Sequence, residues 1–286
     1  MSAIYRSAEG AAAVRRRYDA LLERWPVPFE PRILSTRLGE TFAVVSGPVD
    51  APPVVALQGS GGTAAHWLPD IATLAANLRV HAVDVPGEPG RTVEARPPLG
   101  APACAEWLDG VLDALGLPQA AFLGGSLGGW WSLDYALRRP ERVTALVLVN
   151  PAGIGRRRLV PILKFAGYRL FGGWGRRRAL AMVAKGASGP VDAGRRAVGE
   201  FTLATFEHFK PRLEAIPVFP ADRLRELGMP VLAWFGARDV LLDQRDAAAK
   251  LRQALPGADV RLAEDAGHFL PGWAASAAAF LKGDRS

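Results

Sequence analysis

Ser126 stands in Gly124-Gly125-Ser126-Leu127-Gly128-Gly129, between the apolar run Ala120-Ala121-Phe122-Leu123 and a segment from Leu127 to Arg138 that reads as a helix ending before Pro140. A serine framed by glycines at a strand-to-helix passage suits nucleophilic chemistry. The glycines allow a tight turn that lifts the hydroxyl clear of the strand, and the helix that follows offers a backbone N–H to an oxyanion. Ser126 is therefore the candidate nucleophile and Leu127 N–H a candidate oxyanion donor.

A serine hydroxyl attacks poorly until a base takes its proton. The chain has four histidines. His66 falls at the start of a helix-like segment, His81 inside an apolar strand, and His208 between Phe206 and Phe209. His268, in Glu264-Asp265-Ala266-Gly267-His268-Phe269-Leu270, follows a strand on a loop at the expected carboxyl edge of a sheet, where open α/β sheets carry their sites. A carboxylate must hold the imidazole in the productive tautomer. Asp239 follows the strand Val231-Leu232-Ala233-Trp234-Phe235 and completes the chain order Ser126, Asp239, His268. Asp243 is the reserve acid, with a helix N-cap as its alternative role; Asn150 and Asp265 are further candidates. The second oxyanion donor is expected from Gln58-Gly59-Ser60-Gly61-Gly62, after Val54-Val55-Ala56-Leu57, and Ser60 N–H is the residue chosen.

The elements that must position these groups alternate along the chain. Strands are expected at 41–45, 54–57, 80–83, 143–149, 231–235 and 260–262, and helices at 64–78, 102–115, 127–138, 245–255 and 273–281. Such alternation implies a mostly parallel, doubly wound α/β sheet. Residues 8–25 add an amphipathic helix with Ala11, Val14, Tyr18, Leu21, Leu22 and Trp25 on one side, broken by Pro26, Pro28 and Pro31. The rhythm lapses over residues 151–222, which are rich in Arg, Gly and aromatics and show only short helix-like pieces. The expected division is a core of residues 1–150 and 223–286 with 151–222 inserted as a helical lid.

Together these residues resemble the α/β-hydrolase superfamily. Besides the Ser126 turn, Asp84-Val85-Pro86-Gly87-Glu88-Pro89-Gly90-Arg91-Thr92 is similar to the family's Asp-x-Pro-Gly-x-Gly-x-Ser loop, one residue longer than its common form. Pro140-Glu141-Arg142-Val143 running into Leu146-Val147-Leu148-Val149-Asn150 resembles its passage after the nucleophile, and Asp239 with Ala266-Gly267-His268 completes the likeness. Gln58-Gly59 stands where the family usually has His-Gly. The resemblance implies a serine hydrolase, esterase-like, working through an acyl-enzyme; lactone or carbon–carbon bond hydrolysis and cofactor-free perhydrolysis share the same triad. Trp67 and Trp130, flanking the oxyanion donors, and Leu163 and Phe171 in the lid are the expected apolar substrate contacts, beside Leu159, Val160, Ile162, Phe165, Tyr168 and Trp174.

Two rival functions are weighed against this one. Gly59-Ser60-Gly61-Gly62-Thr63-Ala64 also fits a dinucleotide-binding Gly-x-Gly-x-x-Gly/Ala turn, with Asp84 downstream at a strand end, but that reading leaves Ser126, Asp239 and His268 unexplained. A non-catalytic receptor on the same fold leaves a full set of candidate catalytic residues without purpose.

Composition narrows the setting. The 286 residues carry a net charge of +7, with 49% hydrophobic content. Residues 151–220 hold thirteen basic against four acidic side chains and the rest 22 against 24, so the basicity is local to the expected lid. It reads as a solvated face or an attraction for anionic substrates rather than a nucleic-acid surface. Cys104 is the single cysteine, which excludes an internal disulfide and a cysteine-rich metal cluster. No run approaches the roughly 20 apolar residues a membrane helix needs, and no signal peptide is read. The expectation is a cytoplasmic enzyme without metal or organic cofactor, acting on a small ester or related carbonyl compound. Neither nucleic acid nor membrane is an expected partner, and homodimerisation stays open.

Overall fold

The computed structural model describes residues 4–156, 167–168, 171–175, 177–178 and 192–283. Among these, eight strands form one sheet: β1 (Phe29–Thr36), β2 (Gly39–Ser46), β3 (Pro53–Leu57), β4 (Arg79–Val83), β5 (Ala120–Gly125), β6 (Val143–Val149), β7 (Val231–Gly236) and β8 (Asp259–Ala263). Their order is β1-β2-β4-β3-β5-β6-β7-β8. β1 and β2 pair antiparallel, as do β2 and β4; every later pairing is parallel.

Helices among the described residues include α1 (Ala8–Leu22), α2 (Ile71–Ala75), α3 (Pro102–Ala114), α4 (Leu127–Arg138), α5 (Ala193–His208), α6 (Ala221–Leu224), α7 (Gln244–Ala254) and α8 (Ala274–Lys282). They cover both faces of the sheet. Because side chains alternate along a strand, Val54, Ala56, Ala121, Leu123 and Val147 pack towards α1, α2, α5 and α8. Val55, Leu57, Phe122, Leu146 and Leu148 pack towards α3, α4 and α7. Burial on both faces makes the central strands continuous apolar runs, which is why they are legible by composition.

Three elements differ from expectation. Residues 29–36 form an edge strand, although Pro31 and the polar Glu30 and Arg32 hid it; an edge strand tolerates a proline whose missing N–H faces no partner, and most of β1 is exposed. The helix expected at 64–78 is a short 3₁₀ turn, Ala64–Trp67, followed by α2. Pro69 stands between them, where it cannot continue a helix. Within the expected lid, α5 is a 16-residue helix rather than a short piece. Its N-cap Asp192 accepts from Arg195 N–H, and Ala197, Phe201 and Thr205 form its buried stripe. Leu163, with Leu159, Val160, Ile162 and Phe165, lies outside the described residues.

Candidate active site

β3 pairs with β4 on one side and β5 on the other, so the connections after β3 and β5 leave in opposite directions and open a crevice at their carboxyl ends. Ser126 and the Gln58–Gly62 loop lie at that crevice. Gly128 allows the approach: a Cβ there would sit 2.0 Å from the Leu57 carbonyl oxygen, so only glycine lets α4 start against the end of β3.

Ser126 has φ 49° and ψ −114°. For a non-glycine residue that conformation costs about 1–3 kcal/mol, and here the sheet enforces it. Ser126 N–H donates to Val149 O at 3.0 Å, and its carbonyl accepts from Ala152 N–H at 2.9 Å. Gly59 lies over the serine; a Cβ on it would come 2.9 Å from Ser126 Cβ and 3.5 Å from Oγ. Among the described residues, neither Ser60 N–H nor Leu127 N–H donates to a protein acceptor.

Asp239 and His268 are in direct contact. His268 Nδ1 lies 2.7 Å from Asp239 Oδ2, and the carboxylate is fully buried. Burial opposes charge on Asp239, but the His268 imidazole, Leu241 N–H on Oδ1 at 2.7 Å and the Gln244 amide on Oδ2 at 3.2 Å hold its carboxyl below the usual range. Ser126 Oγ and His268 Nε2 make no hydrogen bond among the described residues. A short path nevertheless joins the serine to the histidine. Ser126 N–H reaches Val149 O, and the next residue, Asn150, donates Nδ2 to His268 O at 2.7 Å and to Gly267 O at 3.0 Å.

Asn150 is thus a clamp between three strand ends, since its Oδ1 also accepts from Gly236 N–H at 2.7 Å. Its φ of 46° at the end of β6 parallels that of Ser126 at the end of β5, and an asparagine just past a buried strand is the signal that could have ranked it higher. The reserve acids take other roles. Asp243 caps α7 by accepting from Asp246 N–H at 3.2 Å, and Asp265 pairs with Arg238 on the surface.

A pair of buried carboxylates, Asp84 and Glu88, holds the loop facing Ser126, and sequence reasoning gave neither a function at the site. Asp84, just past β4, accepts from Ala64 N–H at 2.7 Å, Arg91 N–H at 2.9 Å and Tyr18 OH at 3.1 Å; burial pushes its carboxyl up to about 6. Glu88 accepts at Oε2 from Gly61 N–H at 2.7 Å and from Ser60 Oγ at 3.3 Å; burial pushes it up to about 7 against the pull of these donors and of Arg96 and Arg212. The Gly61 N–H, which a dinucleotide phosphate would need, is therefore taken by Glu88.

The other histidines are structural. His66 receives Thr63 N–H at Nδ1 at 2.9 Å and meets Thr202 of α5 through Nε2 at 3.0 Å, and burial lowers it to about 4. His81 is buried in β4 and also lowered to about 4 by burial. His208 lies against Gly10 of α1.

Of the expected substrate contacts, Trp67 is buried against Trp273, ring centroids 5.8 Å apart, with its ring edge next to Gly125. Trp130 is corrected. It has no exposed surface, stacks on Phe219 at 5.8 Å and donates Nε1–H to Pro217 O at 3.0 Å, because helical spacing from Leu127 turns it into the core rather than towards the crevice. Phe171 is 63% exposed and packs on Trp174. Among the described residues no group of His, Cys, Asp and Glu has metal-binding geometry, and no helix is long and apolar enough to cross a membrane.

Known proteins resemble this chain over nearly its whole length. The carboxylesterase YbfK of Bacillus subtilis (strain 168) is 30% identical over 256 residues, covering 88% of this chain and 86% of its own. The crystal structure of carboxylesterase CesB (YbfK) from Bacillus subtilis superposes with a TM-score of 0.81 at 27% identity, covering 97% of both chains. Naproxen esterase from Bacillus subtilis superposes with a TM-score of 0.80 at 26% identity, covering 97% of this chain and 98% of its own. The model of the alpha/beta hydrolase family matches residues 54–281, and with the sheet order above it establishes that this chain belongs to that family and is a hydrolase.

Proposed function

We propose that this enzyme hydrolyses carboxylic esters through Ser126, His268 and Asp239. Ser126 Oγ attacks the ester carbonyl carbon while His268 Nε2 takes its proton; Asp239 holds the Nδ1–H and stabilises the imidazolium. Negative charge on the carbonyl oxygen is met by Leu127 N–H, at the positive end of α4, and by Ser60 N–H. His268 then protonates the departing alcohol. In the second half-reaction it deprotonates a water that attacks the acyl-enzyme, which restores Ser126.

The observation that carries this reading is the 2.7 Å contact between His268 Nδ1 and the buried Asp239, on loops tied by Asn150 to the strand beside Ser126. The related carboxylesterases support ester substrates in particular. Residues 151–222 are assigned as a lid whose aromatic side chains, among them Phe171 and Trp174, offer apolar contact to an acyl or alcohol group, with Trp67 at the inner wall. The enzyme is assigned to the cytoplasm. Carbon–carbon hydrolysis is the second reading, because 2-hydroxy-6-oxononadienedioate/2-hydroxy-6-oxononatrienedioate hydrolase 2 of Pseudomonas putida is 29% identical over 240 residues.

Turnover of p-nitrophenyl butyrate by the wild type and by Ser126→Ala tests the proposal. The expected loss is on the order of 10³-fold or more, since the triad acts as a unit. A variant that keeps its activity refutes it. Faster turnover of a vinylogous diketone than of every ester in a panel would transfer the assignment to carbon–carbon cleavage.

A further inference from the structure

Glu88 is a buried acid that the proposed mechanism does not use, 2% exposed and seated directly behind the loop that faces Ser126. That loop has few side chains of its own to hold it, being Gly59-Ser60-Gly61-Gly62. Asp84 fixes its far end through Ala64 N–H. At the near end Gly61 has φ +77°, and its N–H is held at 2.7 Å by Glu88 Oε2, which also meets Ser60 Oγ at 3.3 Å. Ser60 N–H thus lies between a residue pressed on the nucleophile, Gly59, and one pinned by Glu88.

We propose that Glu88 is a positioning residue for the oxyanion loop: by accepting from Gly61 N–H and Ser60 Oγ it aims Ser60 N–H at the carbonyl oxygen of the bound ester. The proposal rests on the serine-hydrolase reading above. What the loop requires is an acceptor at the reach of a glutamyl side chain, not a negative charge. Arg96 and Arg212 are the charged groups on Glu88, but their hydrogen bonds go elsewhere, Arg96 Nε to Gly87 O at 2.9 Å and Arg212 Nη1 to Pro97 O at 2.9 Å and to the Glu214 carboxylate at 2.8 Å. Oε2 alone does the accepting, so a glutamine presents the same oxygen in the same place.

Two variants separate reach from charge. Glu88→Gln keeps the length and loses the charge; Glu88→Asp keeps the charge and falls short by one methylene. Both are assayed with p-nitrophenyl butyrate, with kcat normalised to active sites titrated by a fluorophosphonate, so that unfolded protein does not count. Glu88→Gln is expected to hold kcat within about 3-fold, and Glu88→Asp to lose kcat on the order of 10-fold or more with KM within about 2-fold, because a misaimed donor weakens the transition state and not the bound ester. Affinity for a trifluoromethyl ketone, which forms an anionic tetrahedral adduct, should fall in step with kcat. The proposal is overturned if Glu88→Asp matches the wild type, if both variants lose kcat alike, or if the loss appears in KM alone. A failure of the serine-hydrolase reading looks different: Ser126→Ala would keep its turnover whatever Glu88 carries.

Discussion

Two loops at the carboxyl edge carry buried carboxylates with opposite electrostatics. After β7, Asp239 is held below the usual carboxylate range although it has no exposed surface. After β4, Asp84 and Glu88 are equally removed from water yet are pushed up to about 6 and about 7. Among the described residues Asp239 makes four hydrogen bonds, Asp84 three and Glu88 two. The partners differ too: Asp239 touches an imidazole that can carry charge, whereas Asp84 and Glu88 rest mainly on neutral N–H and O–H donors. Burial drives an acid towards its neutral form; at Asp239 the imidazole together with the N–H donors outweighs it, and at Asp84 and Glu88 the donors do not. The β7 loop is therefore built to stabilise positive charge, and the β4 loop to hold backbone in place.

The largest effect that would break this comparison comes from Asp239→Asn. It keeps the shape but frees the wrong imidazole tautomer, so kcat on p-nitrophenyl butyrate should fall on the order of 10³- to 10⁴-fold while the fold persists by circular dichroism. Asp84→Ala should act on stability. It strands Ala64 N–H, Arg91 N–H and Tyr18 OH, and urea denaturation should show a loss of about 3 kcal/mol.

A pH titration of stability sharpens the contrast further. Glu88 holds its proton more tightly in the folded state than in the unfolded chain, so its contribution is complete below about pH 4 and is lost as the pH rises through about 7. Glu88→Gln removes that loss; relative to wild type it should gain on the order of 2 kcal/mol between pH 5 and pH 8. Asp239 has the opposite sign. Its contribution is present above the unfolded carboxylate range and disappears as the pH falls through its lowered value. The smallest effect is expected at Asp243. Removing this cap with alanine should cost about 1 kcal/mol of stability and leave kcat within about 3-fold, and a catalytic loss there would reassign the acid from Asp239.

Much of this candidate site was legible in the sequence because its residues follow strands, of which β5, β6 and β7 are buried and announce themselves as apolar runs while β8 shows only a short alternation. Ser126 after β5, Asp239 after β7 and His268 after β8 could each be read from the strand before it. Asn150 after β6 was less clear, since an amide in that place has no chemistry of its own until His268 O and Gly236 N–H are seen around it. Glu88 was hidden inside a loop whose family pattern it lengthens. Trp130 was misread because proximity in sequence to Leu127 says nothing about which way the helix turns it. β1 escaped because an exposed edge strand need not be apolar.

Fluorophosphonate labelling followed by peptide mapping tests the central claim most directly. The account predicts a single adduct on Ser126 in the wild type, none in Ser126→Ala, and labelling slowed on the order of 10³-fold in His268→Ala, where the base is missing. An adduct on another residue, or labelling at Ser126 that proceeds at the same rate without His268, would contradict it.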